Sequence, residues 1–246
     1  IQHEDLINRH MLVNGTSGSG KTTAVNQIVK ELFRQGHHIV YLDFSHSCTP
    51  KQLASHGIEE TFQKDNILRS RLESVLENPE ELTSALEIVQ EENSILLFET
   101  ETYSDEVESF LTLLYETILA REELEIFLVI DEVHELNYAK GSPLYLIMEM
   151  GRRNGISLIS IFQGPHQTKP KQYSMMNQSD IKLIFKLTDH KDAEDVAKSD
   201  ALKPPGKFIE KIRKPAKHHC LVIGNLEDSD GELENDRFVE VAVPEI

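Results

Sequence analysis

Two kinds of hydrophobic run alternate along the chain. In the first kind almost every residue is apolar, which is typical of strands that are covered on both faces of a sheet. These runs are Met11–Asn14, His38–Asp43, residues 94–98, Ile126–Ile130, Ile156–Phe162 and residues 181–187. In the second kind, apolar residues recur every three or four positions, as on one face of an amphipathic helix. Strands that alternate with helices predict an α/β fold, with a mostly parallel sheet and helices on both faces.

The segment 49–93 is helical in pattern and lies between the second and third predicted strands. Leu68, Leu72 and Val75 share one helical face, and Pro79 separates them from a second helical stretch. We therefore predict a helical insertion over residues 49–93.

The C-terminal part of the chain is predicted as a set of closing strands. Pro205 and Gly206 indicate a turn, and the short apolar pairs and runs that follow at 208–209 and 220–223 indicate strands. Residues 227–246 are acidic and are expected to form a solvated segment with one strand around residues 238–243.

The length and charge of the chain limit what it can be. A chain of 246 residues can bury one large core, so we predict a single domain over residues 1–246. The formal net charge is −17, and an acidic surface repels phosphate backbones, so any contact with nucleic acid must be local. The apolar runs are far shorter than the roughly 20 residues of a membrane-spanning helix, and no signal segment opens the chain. We expect a cytoplasmic protein without a membrane span.

Residues 15–22 match the phosphate-binding pattern G-x-x-x-x-G-K-[ST] at every fixed position. The match lies between a predicted strand and a predicted helix, where backbone N–H groups and the positive end of the helix dipole can face phosphates. Lys21 is expected to contact the β- and γ-phosphates of ATP, and Thr22 to ligate Mg²⁺. The alternative is a glycine-rich turn with an exposed lysine. The predicted nucleotide-binding residues are Gly15, Thr16, Ser17, Gly18, Ser19, Gly20, Lys21, Thr22 and Thr23.

Polar side chains that suit ATP hydrolysis follow two of the buried runs. Asp131 is expected to hold Mg²⁺, and Glu132 to orient and deprotonate the attacking water. Gln163 ends the next run, where its amide can hydrogen-bond both the γ-phosphate and that water. Alone, an acidic pair after a strand is more often a helix cap, and a polar residue at a strand end is common. A phosphate-binding loop upstream favours the catalytic interpretation.

The order of these motifs, with the stretch Gly-Arg-Arg-Asn-Gly-Ile followed by an apolar run and Gln at 151–163, resembles the HerA/FtsK superfamily of RecA-like DNA-pumping ATPases, which includes conjugation coupling proteins. The similarity extends over most of residues 8–225. It implies a RecA-like P-loop NTPase fold and a hexameric ring of identical chains, with each ATP between neighbours.

The resemblance also implies a catalytic arginine supplied by the adjacent subunit. Arg152 is similar in position to that arginine in the coupling proteins, with Arg153 as the second choice, and it would neutralise charge in the transition state. From the residues alone, both arginines are also explained as charges that a helix C-terminus favours.

Two departures from the resemblance concern further domains. HerA relatives carry an N-terminal β-barrel, and FtsK relatives carry membrane spans and a DNA-reading winged helix, whereas this sequence shows none of these. We expect either the motor portion of a larger protein or a minimal motor that depends on protein partners.

DNA contact in such a ring requires local basic groups. Lys169 and Lys171 follow the run that ends at Gln163, and a basic cluster at 203–219 contains Lys211, Arg213 and Lys214. These five residues are the candidate DNA contacts. A solvated face or a subunit contact is an equally good explanation of the cluster.

These observations predict a Mg-dependent ATP hydrolase that acts as a ring-forming DNA translocase or helicase. One alternative is a secretion or pilus-type motor that acts on protein, which the acidic balance favours slightly. A second alternative is a slow ATP-gated interaction module in a larger assembly. DNA-stimulated ATPase activity, measured across protein concentrations, distinguishes the three.

Overall fold

The computed structural model of the chain describes residues 6–44, 67–92, 94–100, 105–121, 124–163, 173–199, 205–216, 219–224 and 238–242. The strands in these ranges are β1 (Met11–Asn14), β2 (His38–Asp43), β3 (Ile67–Ser70), β4 (Ile95–Glu99), β5 (Ile126–Ile130), β6 (Ile156–Phe162), β7 (Ile181–Ile184), β8 (His219–Gly224) and β9 (Phe238–Ala242). The α-helices are α1 (Lys21–Arg34), α2 (Leu72–Glu77), α3 (Pro79–Glu92), α4 (Asp105–Leu119), α5 (Pro143–Met150), α6 (Tyr173–Gln178), α7 (His190–Ser199) and α8 (Pro205–Arg213). Short 3₁₀ turns follow β5 at Val133–Glu135 and α5 at Gly151–Asn154.

The strands form one sheet in the order β3-β4-β2-β5-β6-β1-β7-β8-β9. Neighbours from β3 to β7 are parallel, and β8 and β9 extend the sheet in antiparallel orientation. Parallel neighbours need long crossover connections, and helices supply most of them here. The predicted mostly parallel α/β sheet is confirmed.

The central strands are buried because helices cover both faces of the sheet. Every residue of β1, β5, β6 and β7 is buried. Leu12 points into a large core with residues of α2 to α8, whereas its neighbours Met11 and Val13 enter a smaller core with α1. Alternation of side chains between two covered faces therefore explains why these runs are continuously apolar.

Two segments differ from the sequence prediction. Residues 67–70, expected to be part of the helical insertion, form the edge strand β3, which pairs with β4 from Ile67 opposite Ile95. Residues 208–209, expected to be a strand, lie inside α8. Phe208 and Ile212 are both buried and stand four positions apart, which is helical spacing, and Pro205 is the first helical residue rather than part of a turn.

The rest of the predicted helical insertion and of the predicted C-terminal segment is only partly described by the structure. Helices α2 and α3 and strand β9 form as the sequence predicts, whereas residues 49–66 and most of 227–246 lie outside the described residues. The single domain and the extent of the insertion stay predictions. In the described part of the chain, no helix combines the length and apolarity that crossing a bilayer requires.

The two edges of the parallel sheet carry different residues. At the edge where strands β1, β2, β5, β6 and β7 end, here called the carboxyl edge, the chain continues into the loop 15–20, Phe44, Asp131, Gln163 and Phe185. At the opposite amino edge, His10, His38, Gly155 and Asp180 lie at or just before the strand starts. Ligands of open α/β sheets bind at the carboxyl edge.

Candidate functional site

The residues predicted to act on a nucleotide meet at the carboxyl edge. Strands β5, β6 and β1 are neighbours in the sheet, so the positions that follow them are brought together by parallel pairing. Asp131 and Glu132 follow β5, Gln163 follows β6, and the loop that leads to Lys21 follows β1. The spatial convergence that the sequence interpretation requires is therefore present.

The loop 15–20 bends through conformations that favour glycine. Gly18 has φ 71° and Gly20 has φ 100°, both in the left-handed region that side chains with a Cβ rarely adopt. Helix α1 begins immediately afterwards, at Lys21. Such a turn directly ahead of a helix N-terminus is the backbone arrangement with which a P-loop binds phosphate.

Lys21 is folded back onto its own loop. Its Nζ donates hydrogen bonds to the carbonyl oxygens of Gly15 at 2.8 Å and Thr16 at 3.1 Å, and the residue is 7% exposed. Burial lowers the pKa of Lys21, while the carboxylates of Glu132 and Asp131 raise it in opposition. These electrostatic partners place the lysine beside the acidic pair.

The end of β7 supports the loop, which sequence reasoning missed. A Cβ at Gly15 would lie 2.5 Å from Cβ of Phe185, so only glycine fits there. Thr16 donates from its N–H at 3.0 Å and from Oγ1 at 3.1 Å to the carbonyl oxygen of Lys186. The only sequence signal was the position of the apolar run 181–187, which predicted a strand but not its neighbour.

Glu132 is a buried carboxylate in a strained backbone conformation. It has φ 52°, a left-handed conformation that is uncommon for residues other than glycine, and its N–H donates to Asp131 Oδ1 at 3.0 Å. Burial raises the pKa of Glu132 to about 7, and Asp131 adds to the rise while Lys21 opposes it. Strain and a raised pKa are both frequent at catalytic positions.

Gln163 and His134 flank the Glu132 carboxylate. The side-chain amide of Gln163 donates to Glu132 Oε1. Glu132 Oε2 is buried and makes no hydrogen bond within the described part of the chain, and His134 Nδ1 lies 3.3 Å from it. His134 Nε2 lies 3.3 Å from Glu135 Oε1, and burial lowers the pKa of this histidine. His134 therefore lies directly beside the Glu132 carboxylate.

The oxygen donors at this edge suit Mg²⁺. The ion is typically bound by one or two protein oxygens together with substrate phosphates, so a multi-carboxylate cage is not required. Thr22 offers a hydroxyl in the first turn of α1, and Asp131 a buried carboxylate after β5. The described residues contain no group of three or more His, Cys, Asp or Glu side chains that could hold a metal by themselves. This donor set fits a cation held jointly with a nucleotide.

Arg152 lies at the amino edge, opposite to the phosphate-binding loop of the same chain. Its Nη1 is 2.9 Å from Asp180 Oδ1 and 3.0 Å from Oδ2, and Asp180 Oδ2 also accepts from the His10 N–H at 3.0 Å. Arg153 is exposed beside it. Neither arginine belongs to the nucleotide site of its own chain.

Three of the candidate DNA contacts lie at the end of α8. Lys211 and Arg213 are in its last turn and are half-buried, and Lys214 follows it and is exposed. Lys169 and Lys171 lie outside the described residues.

Comparison with known sequences identifies the family. Residues 7–167, well over half of the chain, match the sequence profile of the AAA domain. The chain belongs to the AAA domain family. With its phosphate-binding loop and acidic pair at one sheet edge, it is a P-loop ATPase. No curated protein sequence matches the chain.

Solved structures with the same fold include a genome packaging NTPase and a plasmid coupling protein. The genome packaging NTPase B204 from Sulfolobus turreted icosahedral virus 2, in complex with ATP-gammaS, has a TM-score of 0.62 at 13% identity, over 95% of this chain and 96% of its own. The plasmid coupling protein TrwB, in complex with ADP and Mg²⁺, has a TM-score of 0.60 at 12% identity, over 99% of this chain and 86% of its own. They confirm the RecA-like P-loop fold that the resemblance to the HerA/FtsK superfamily implied.

Proposed function

We propose that this AAA domain is a Mg-dependent ATP hydrolase that drives DNA translocation or unwinding as a ring, most consistently a hexamer, of HerA/FtsK type. The observation that carries the proposal is the convergence of Lys21, Glu132 and Gln163 at one sheet edge. A genome packaging NTPase and a plasmid coupling protein with the same fold support the DNA motor.

Binding of ATP exchanges hydrogen bonds that the loop already makes. The loop N–H groups and the start of α1 receive the phosphates, and Lys21 Nζ moves from the carbonyl oxygens of Gly15 and Thr16 to the β- and γ-phosphates. Thr22 and Asp131 would hold Mg²⁺. The ion supplies charge that stabilises the phosphoryl oxygens.

Hydrolysis uses the carboxylate of Glu132. Its Oε1 accepts from the Gln163 amide, and when this amide turns to the γ-phosphate the carboxylate is left to accept a proton from water. A base whose pKa is near 7 accepts that proton more readily than an ordinary carboxylate. Gln163 then reports loss of the γ-phosphate, because its amide hydrogen-bonds either the phosphate or Glu132.

The arginine for the transition state comes from a neighbouring chain. Arg152 is at the amino edge and reaches a nucleotide only if two copies stack with amino edge against carboxyl edge, as head-to-tail rings require. The Arg152 side chain is partly exposed, and it has to leave Asp180 in order to reach the nucleotide of the neighbouring chain. Arg153 is the second choice.

DNA is contacted by local basic groups on an otherwise acidic protein. Lys211, Arg213 and Lys214 provide such a group at the end of α8, and Lys169 and Lys171 are proposed to add a second. The net charge of −17 favours the alternative of a polypeptide substrate, which secretion or pilus-type motors act on.

Steady-state ATPase assays with and without duplex or single-stranded DNA, over a range of protein and salt concentrations, test the proposal. We expect turnover that rises with oligomer formation and with DNA, the latter effect decreasing with salt. Lys21→Ala and Glu132→Gln should each lower kcat at least about 100-fold, whereas the exposed Lys198→Ala and Glu91→Gln should not.

Three results would contradict parts of this proposal. Normal turnover in Lys21→Ala or Glu132→Gln would show that the site is misassigned. Turnover that DNA does not change would favour the protein motor, and very slow turnover by a chain that stays monomeric at high concentration would favour an ATP-gated interaction module.

A further inference from the structure

One peptide group contacts both the phosphate-binding loop and the basic helix α8. The carbonyl oxygen of Lys186 accepts from the N–H and the hydroxyl of Thr16, at 3.0 and 3.1 Å. The N–H of Leu187 donates to the carbonyl oxygen of Ile212 at 3.1 Å. These two groups belong to the same planar amide, so a rotation that follows Thr16 on one side also displaces the hydrogen bond to Ile212 on the other.

On the loop side, this peptide is bound by a residue that also contacts Lys21. Thr16, which holds Lys186 through its N–H and hydroxyl, also accepts from Lys21 Nζ through its carbonyl oxygen at 3.1 Å. A bound phosphate competes for the ammonium group with a stronger, charge-assisted hydrogen bond. Nucleotide binding therefore removes a partner from the very residue that anchors the peptide.

On the helix side, this peptide is bound within the same turn as the basic residues. Ile212 is 1% exposed and packs in the larger core, and its carbonyl is among the last of α8, which have no partner within the helix. The Leu187 N–H satisfies that carbonyl. Lys211 and Arg213 flank Ile212, and Lys214 follows, so a change in this hydrogen bond acts on the turn that carries all three basic side chains.

We propose that the Lys186–Leu187 peptide transmits nucleotide occupancy from Thr16 to the last turn of α8, so that contact between this turn and a nucleic-acid phosphate backbone depends on ATP. The inference rests on the nucleotide site proposed above. It adds a route through the interior of one chain, from the ATP phosphates to the surface that contacts the substrate.

Hydrogen exchange of the full chain, with and without ATP-gammaS and Mg²⁺, tests the route. In the wild type we expect protection of residues 15–23 and a change of about fivefold in the exchange of Leu187 and the end of α8, the equivalent of one hydrogen bond. Thr16→Val removes the hydroxyl at nearly constant volume. At a nucleotide concentration that protects its loop, this variant should show less than half of the change at Leu187 and α8.

Matched variants separate this effect from a general loss of stability. Thr16→Ser keeps the hydroxyl and, at a nucleotide concentration that protects its loop, should restore the change at Leu187 and α8. Thr112→Val removes an exposed hydroxyl that donates to a backbone carbonyl in α4, at 2.9 Å from the Glu108 oxygen, and should also leave the change at α8 intact.

The affinity for a duplex, measured by fluorescence anisotropy, provides a second readout. We expect the Kd of the wild type to differ at least about threefold between the ATP-gammaS-bound and nucleotide-free states, and this ratio to approach one in Thr16→Val. Unprotected residues 15–23 in the wild type would refute the nucleotide site and the inference with it. A protected loop without a change at Leu187 and α8, or a Thr16→Val variant that equals the wild type, would refute the inference alone.

Discussion

His10 should make the stability of the protein fall as the pH is lowered from neutrality. The residue precedes β1 and is fully buried; Nδ1 accepts from the Leu158 N–H at 3.1 Å and Nε2 lies 3.1 Å from the Met148 carbonyl oxygen. Both contacts are satisfied by a neutral ring with its proton on Nε2. Burial, with a smaller contribution from Arg152, lowers the pKa of His10 from 6.5 to about 4.

The magnitude follows from the proton balance of folding. Below pH 6.5 the unfolded chain binds a proton at His10 that the folded protein does not bind, so this contribution to stability is complete above pH 6.5 and is lost as the pH falls toward 4. The full shift corresponds to about 3.4 kcal/mol, of which about 1.4 kcal/mol is lost by pH 5.5. Working at pH 5.5 also avoids the sequence pI of about 5.0, where an uncharged protein precipitates.

Urea unfolding of the wild type and of His10→Asn at pH 8 and pH 5.5 measures this contribution. An asparagine oxygen can accept from Leu158 in place of Nδ1 but does not titrate, so the variant should lose about 1.4 kcal/mol less than the wild type between the two pH values. His190→Asn, at an exposed histidine, should retain the wild-type dependence. Equal pH dependence of wild type and His10→Asn would show that His10 is not held neutral by the fold.

Three further variants test the site and its surroundings. His134→Ala should lower kcat about fivefold at an unchanged KM for ATP, because it removes the imidazole that lies 3.3 Å from Glu132 Oε2, and His134→Asn should restore much of it; a change in KM alone would contradict this role. Gly155→Ala should destabilise by at least about 2 kcal/mol in urea unfolding, because φ is 80° and a Cβ would lie 2.5 Å from the Leu124 carbonyl oxygen, whereas Gly206→Ala, with open space, should not. Arg152→Ala should lose ATPase activity only in the assembled ring and regain it when mixed with a chain that supplies the arginine; wild-type turnover by the assembled variant would end that assignment.

Local patterns were sufficient for the parts of the fold in which one short segment determines its own structure. The strands β1, β2, β5 and β6 are continuously apolar because both faces of the sheet are covered, and the phosphate-binding loop is defined by the backbone needs of Gly18 and Gly20. The carboxyl-edge placement of Asp131, Glu132 and Gln163 then follows from parallel pairing. These features need no knowledge of distant contacts.

Short elements and contacts between distant residues were predicted wrongly or not at all. The edge strand β3 is only four residues long. The four-residue spacing between Leu68 and Leu72 is also typical of a helix. Helix α8 was predicted as a turn and a strand because the pair Phe208 and Ile209 is too short to show a period. Together with Ile212, which also packs in the larger core, the pair has helical spacing. The contact of Thr16 with Lys186 spans 170 positions, and no local pattern announces it.

Lys21 and Glu132 both make hydrogen bonds to other groups at the carboxyl edge. Lys21 donates to the carbonyl oxygens of Gly15 and Thr16, and Glu132 Oε1 accepts from the amide of Gln163. In the proposed mechanism, phosphate binding first displaces the lysine, and the γ-phosphate then offers the Gln163 amide another acceptor. Glu132 is restrained until that exchange occurs, so we expect the site to favour hydrolysis of a bound triphosphate over activation of water in its absence.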